Sequence, residues 1–172
     1  MLGKKNLYEN IENWFSLWPY GPGELPWTSV NLHRSPFPFG FYPTFRKERL
    51  REPCKRLKLS RILVCSMGDL FGDWIPAEWI HRIIDITRYS SIVGGRHTYL
   101  FLTKNPIRYS EYSFPANVLL GASCTWGERV DIWLRQSKHE GKKFISFEPL
   151  LCDVSKIINL EGIDWVIIGA MT

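Results

Sequence analysis

Four short apolar runs in this chain each end on side chains that could do chemistry. The first, residues 61–66, reads RILVCS and leads to Ser66 and, after a tight turn, Asp69. A second, HTYLFLT at 97–103, delivers Thr103 and Lys104. A third, NVLLGA at 117–122, delivers Ser123, Cys124 and Thr125, and a fourth, KFISF at 143–147, delivers Ser146 and Glu148. A lysine suits an anionic group, and carboxylates suit amines, hydroxyls or a proton. The chemistry implied is a polar pocket for a small molecule, with Ser66, Asp69, Thr103, Lys104, Ser123, Thr125, Ser146 and Glu148 as candidates. The competing expectation is a Lys–carboxylate network that only satisfies the ends of the elements. No Ser-His-Asp arrangement is evident. His33, His81, His97 and His139 are scattered over a loop, a helix face, a strand start and a helix end, as structural histidines are.

Those residues converge only if the runs lie side by side. Each run is too short for a helix and too evenly apolar for a half-exposed strand, so each suits a strand buried on both faces. A fifth strand is expected over 163–169. Helices are expected over 77–89, with Trp79, Ile80, Ile83, Ile84 and Thr87 on one face, and over 128–138. Pro106 starts a short helical stretch. Connections of a dozen or more residues require parallel pairing with right-handed crossovers. The fold class is therefore α/β, doubly wound or a partial barrel, and the candidate residues fall at the carboxyl rim, where such folds build sites. Asp69, Lys104 and Glu148 are expected to share one concavity there. No strand is followed by a Gly-rich dinucleotide fingerprint or a Walker loop.

The 172 residues suffice for one domain with its own core, and 45% hydrophobic with 23% charged content is an ordinary globular balance. No run approaches a membrane span, and Asn6, Glu9, Asn10, Glu12 and Asn13 break any signal-like segment, so a soluble cytoplasmic protein is expected. Cys54, Cys65, Cys124 and Cys152 have no close spacing and are expected to be reduced thiols. Residues 1–41 hold five prolines among tryptophans and phenylalanines. They are expected to form an irregular aromatic arm, with a short helix near 7–17, ahead of a domain over 42–172.

One segment dominates the charge. Residues 46–61 carry +6, against +5 for the whole chain. Arg46, Lys47, Arg49, Arg51, Lys55, Arg56 and Lys58 could face phosphates of a nucleic acid or nucleotide. Equally, Glu48 and Glu52 at helical spacing could make this a solvated turn leading into the first strand.

The blocks FYPTFRKERLREP, RILVCSMGDLFGDWIPAEWI, TYLFLTKNP, NVLLGAS, FISFEPLL and IDWVIIGA, in that order over about residues 41–172, resemble the phage and prophage protein family named after gene product 37 and gene product 68. That resemblance implies a radical S-adenosylmethionine type of partial (β/α) barrel with about five to six strands, incomplete at both ends. It also implies an N-terminal C-x3-C-x2-C motif for a 4Fe-4S cluster that would hold S-adenosylmethionine. Residues 1–40 contain no cysteine, and such a cluster needs three local thiolates. The resemblance therefore implies a degenerate or truncated member with no metal site of its own. The alternatives are an active iron–sulfur enzyme whose cluster ligands come from another segment or chain, and a nucleic-acid-binding module using residues 46–61.

Overall fold

The computed structural model describes residues 43–92 and 97–169, all within one compact unit. Five strands, β1 (Arg61–Val64), β2 (Thr98–Thr103), β3 (Val118–Ser123), β4 (Lys143–Phe147) and β5 (Trp165–Ile168), pair in chain order. All four pairings are parallel, with Leu63 opposite Leu100, Leu100 opposite Leu119, Gly121 opposite Phe144 and Ile145 opposite Val166. Helix α1 (Ala77–Ile92) connects β1 to β2, and α2 (Val130–Gln136) connects β3 to β4. A 3-10 helix over Pro106–Glu111 serves the β2–β3 crossover.

Strand order selects between the two expected architectures. In a sequential parallel sheet every right-handed crossover returns on the same face, so the helices form one layer. The core shows that layer. Ile62 and Val64 of β1, Tyr99 and Phe101 of β2, Val118, Leu120 and Ala122 of β3, and Ile145 and Phe147 of β4 pack with Ile80 and Ile84 of α1 and Val130 and Leu134 of α2. Phe71, Tyr109, Tyr112 and Phe114 fill the gap with edge-to-face and tilted ring contacts, the closest pair being Phe71 and Tyr109 at 4.7 Å between centroids. The buried Tyr109 hydroxyl lies 2.8 Å from the Gly121 carbonyl, its best acceptor. This is an α/β unit with a five-stranded parallel sheet, an arrangement consistent with part of a (β/α) barrel.

The opposite face of the sheet carries Leu63, Leu100, Leu102, Gly121, Phe144 and Trp165. Gly121 is required there, because a Cβ at that position would run into the Phe144 ring. Phe144 in turn packs against Trp165, the rings tilted by 37° with centroids 5.6 Å apart.

Three expectations need correction. β1 and β5 are not buried on both faces: among the described residues they are the sheet edges, and Leu63 remains 49% exposed. β1 ends at Val64 rather than residue 66, because Cys65 adopts a left-handed backbone (φ 56°) that turns the chain. The second helix begins at Val130 rather than residue 128, because the Glu128 carboxylate accepts bonds from the Thr125 and Trp126 amides and holds a turn ahead of it. The arm over 1–41, its short helix and His33 lie outside the described residues.

Candidate functional site

The loop after β1 is latched to the end of β2 by polar contacts. Asp69 Oδ1 accepts from the Phe71 amide at 3.0 Å and from the Thr103 hydroxyl at 2.6 Å, and Oδ2 accepts from the Lys104 amide at 2.8 Å. The Phe71 bond is an Asx turn, which accounts for an aspartate at a tight connection. Asn105 Nδ2 donates to the Phe71 carbonyl and, at 2.7 Å, to Asp73 Oδ1. Arg108 closes the far side, donating from Nη1 to the Gly72 carbonyl at 2.6 Å and from Nη2 to the Tyr112 hydroxyl. Gly72 leaves room for the Trp74 indole, whose Cζ2 lies 2.5 Å from where a Cβ would be.

The latched loop forms one wall of an open hollow of about 640 Å³ at the carboxyl ends of β1, β2 and β3. This volume lies inside the range of roughly 300–1,000 Å³ common for small-molecule sites. Ser66, Asp69, Thr103, Lys104 and Ser123 line it, as do Leu63, Cys65, Asp73, Trp74 and Asn105. Thr125, Ser146 and Glu148 are not among the lining residues. The buried Ser146 hydroxyl donates to Glu148 Oε2 at 2.6 Å, and the Glu148 stem lies beside Gly169 at the end of β5. The concavity expected to hold Asp69, Lys104 and Glu148 therefore contains the first two only. The reason is the width of the sheet: β4 and β5 lie one and two strands beyond β3, and Glu148 turns toward β5.

Within the hollow, the charges divide by how fully they are engaged. Asp69 is occupied by three donors and is a structural tie. Lys104 meets it only through its backbone amide. The Lys104 ammonium is exposed and, among the described residues, has no carboxylate within ion-pair distance. Asp73 has one oxygen engaged by Asn105 and, among the described residues, no partner on the other. Trp74 is 65% exposed. The arrangement offers a cation, an open carboxylate oxygen and an aromatic face around a largely apolar floor.

Asp73, Trp74 and Asn105 line the hollow in addition to the residues expected from sequence. Asp73 and Trp74 sit in the loop that the two glycines and two aspartates marked. Nothing in the turn, which also holds Leu70 and Phe71, distinguishes the exposed Trp74 from the aromatic that packs inward. Asn105 was marked only as part of a turn with Pro106.

The basic segment is largely self-neutralised at its start. Arg46 pairs with Glu48 at 2.6 Å, and Arg49 pairs with Glu52 through two bonds at 2.9 and 3.1 Å. The Arg56 guanidinium lies near the Ser60 hydroxyl, and Lys47, Lys55 and Lys58 are exposed. Two short 3-10 turns, Lys47–Arg49 and Pro53–Lys55, carry the segment. His97 and His139 are buried, their Nε2 atoms 3.1 Å from the Pro53 carbonyl and 2.9 Å from the Val118 carbonyl.

The four cysteines are free and come from four places in the chain, before β1, after β1, after β3 and in the β4–β5 crossover, with Cys152 near enough to Cys124 to help raise its thiol. Burial pushes the Cys124 thiol up to about 11 and raises that of Cys54. A 4Fe-4S cluster needs three converging thiolates, and among the described residues no three such donors converge, so the described donor set does not fit one. Among the described residues no group of three His, Cys, Asp or Glu side chains is placed to hold a metal ion. No helix of the described residues is long and apolar enough to cross a membrane.

A parallel α/β sheet with a hollow at its carboxyl rim defines a class of ligand-binding and catalytic domains, not an activity. Residues 31–172 match the family model described as Protein of unknown function (DUF5131), and the chain belongs to that family. No curated protein and no solved structure matches it.

Proposed function

We propose that this chain is a radical-SAM-like partial barrel, of the phage and prophage type its sequence blocks resemble, that binds an adenosyl-bearing organic anion without running cluster chemistry. The observation that carries this is the Lys104 ammonium: exposed, unpaired among the described residues, and on the rim of a hollow sized for a small molecule. The neighbouring Asp69 is fully engaged by Thr103, Phe71 and the Lys104 amide, so it does not compete for that cation. Lys104 would hold the ligand's carboxylate or phosphate. Trp74 offers a face for the adenine ring, and the open Asp73 oxygen accepts from an amine or hydroxyl. The resemblance supplies the adenosyl group; the protein's own residues supply the anion and ring preferences. The reading includes a cytoplasmic location.

Calorimetric titration with S-adenosylhomocysteine and adenosine 5′-monophosphate tests it. Both should bind, and Lys104→Met should weaken binding about tenfold or more, the worth of a charge-assisted hydrogen bond. Absence of binding by either compound, or binding indifferent to Lys104→Met, would sink the proposal. Anaerobic iron and sulfide reconstitution supplies the second arm: a stable cluster with a visible sulfide-to-iron band would replace this reading with that of an active iron–sulfur enzyme.

A further inference from the structure

Lys104 and Asn105 border a second hollow as well as the first. It measures about 180 Å³ and lies between the 3-10 helix after β2 and the start of α2, lined also by Ile107, Arg129 and Trp133. That is below the range of roughly 300–1,000 Å³ for complete small-molecule pockets, so it suits a subsite better than an independent site. Trp133 is 37% exposed and Ile107 46% exposed, so the hollow has an aromatic and an apolar wall open to solvent. Its lining acid, Glu128, is engaged, and so is the buried Asp131 behind Arg129. Glu128 accepts from the Thr125 and Trp126 amides, and the buried Asp131 is paired with Arg129 and Arg135. Arg129 keeps half of its side chain exposed despite that pairing. Among the described residues, the rim thus presents the unpaired Lys104 ammonium with an exposed tryptophan in the hollow on either side.

We infer that the ligand continues past Lys104 into this smaller hollow, and that it is a phosphodiester joining two nucleosides, with the phosphate on Lys104 and its bases on Trp74 and Trp133. The inference rests on the adenosyl-anion reading of the larger hollow and names the ligand class. Exposed aromatics interleaved with a cation are the arrangement by which single strands and dinucleotides are held, each base stacking on a ring and each phosphate meeting a positive group. The exposed Lys47, Lys55 and Lys58 would add only non-specific attraction for a longer strand. Two sources share this chemistry, a free dinucleotide and a single-stranded nucleic acid.

The test compares adenosine 5′-monophosphate, the dinucleotide ApA and a short fluorescein-labelled oligoadenylate on the full chain, by calorimetry and fluorescence anisotropy. The expected result is that ApA binds about tenfold tighter than the monophosphate, and that Trp133→Ala removes this gain while leaving the monophosphate's affinity unchanged. Trp133→Phe keeps a ring and should retain most of the gain, which separates stacking from damage to the fold. An oligoadenylate that binds tighter than ApA identifies a strand as the occupant; equal affinity identifies the dinucleotide. If the monophosphate binds through Lys104 but ApA gains nothing and Trp133→Ala is silent, the inference fails and the reading of the larger hollow stands. If none of the three binds, both fail. Oligoadenylate binding abolished by neutralising Lys47, Lys55 and Lys58, yet untouched at Trp74 and Trp133, would also overturn it.

Discussion

Asp69 and Lys104 divide the work of the rim between them. Both were legible in the sequence as polar groups beyond strand ends, but their roles were not. A carboxylate in a Gly-Asp turn can serve a ligand or the backbone, and only geometry decides. Asp69 Oδ1 and Oδ2 serve Phe71, Thr103 and Lys104. Thr103 is 2% exposed and depends on that carboxylate as its acceptor. Asp69→Ala is therefore expected to cost about 2–3 kcal/mol in urea unfolding, the worth of leaving a buried donor unmet together with losing charge-assisted bonds. An unchanged midpoint would mean that the loop is held by other contacts. His139 gives a second measurement at this scale. Burial lowers its pKa, the bond to the Val118 carbonyl works against that, and Lys143 adds to the lowering. In mildly acid solution the unfolded chain then binds a proton that the native chain does not. Its stabilisation is complete above the ordinary histidine value of about 6.5 and is lost as pH falls from there toward the native value. His139→Gln should flatten that part of the stability–pH curve. Asp131 acts in a lower window. Burial alone would raise its carboxyl, but Arg129 and Arg135 overcome this and hold it below the usual range, so its contribution is lost only below about pH 4.

The elements were the most legible level, because apolar runs and crossover lengths are properties of sequence. All five strands lie within a few residues of their expected places, and the parallel order follows from connections too long for hairpins. What was hidden was which strands form the edges. Uniformly apolar runs look alike at the centre and the rim of a sheet, and Leu63 and Trp165 are exposed on strands that, among the described residues, are paired on one side only. The turn at Cys65 was equally invisible, since its left-handed backbone sits at a non-glycine residue. The register makes one sharp statement about β3 and β4. Gly121 lies opposite Phe144, and the ring occupies the space of the absent side chain. Gly121→Ala should destabilise by about 1–3 kcal/mol, the usual range for overpacking. A thermal midpoint equal to that of the parent would show that Phe144 can swing away.

At the scale of the whole sheet, an in-order parallel arrangement brings the carboxyl ends of its strands to one rim. The convergence of Ser66, Asp69, Thr103, Lys104 and Ser123 on one hollow follows from that topology and was accessible from sequence. The separation of Glu148 was not, because reach across a sheet depends on how many strands intervene and which way the chain turns after the last one. In the proposed reading, Lys104 serves a ligand and not the fold. Thermal unfolding of the parent chain and of Lys104→Met, each with and without adenosine 5′-monophosphate, tests it most directly. The expected result is equal midpoints without ligand, since exposed substitutions stay within about 0.5 kcal/mol, and a nucleotide-induced rise in the parent that is largely absent in the variant. A variant that melts earlier on its own, with the same nucleotide-induced rise as the parent, would contradict the claim.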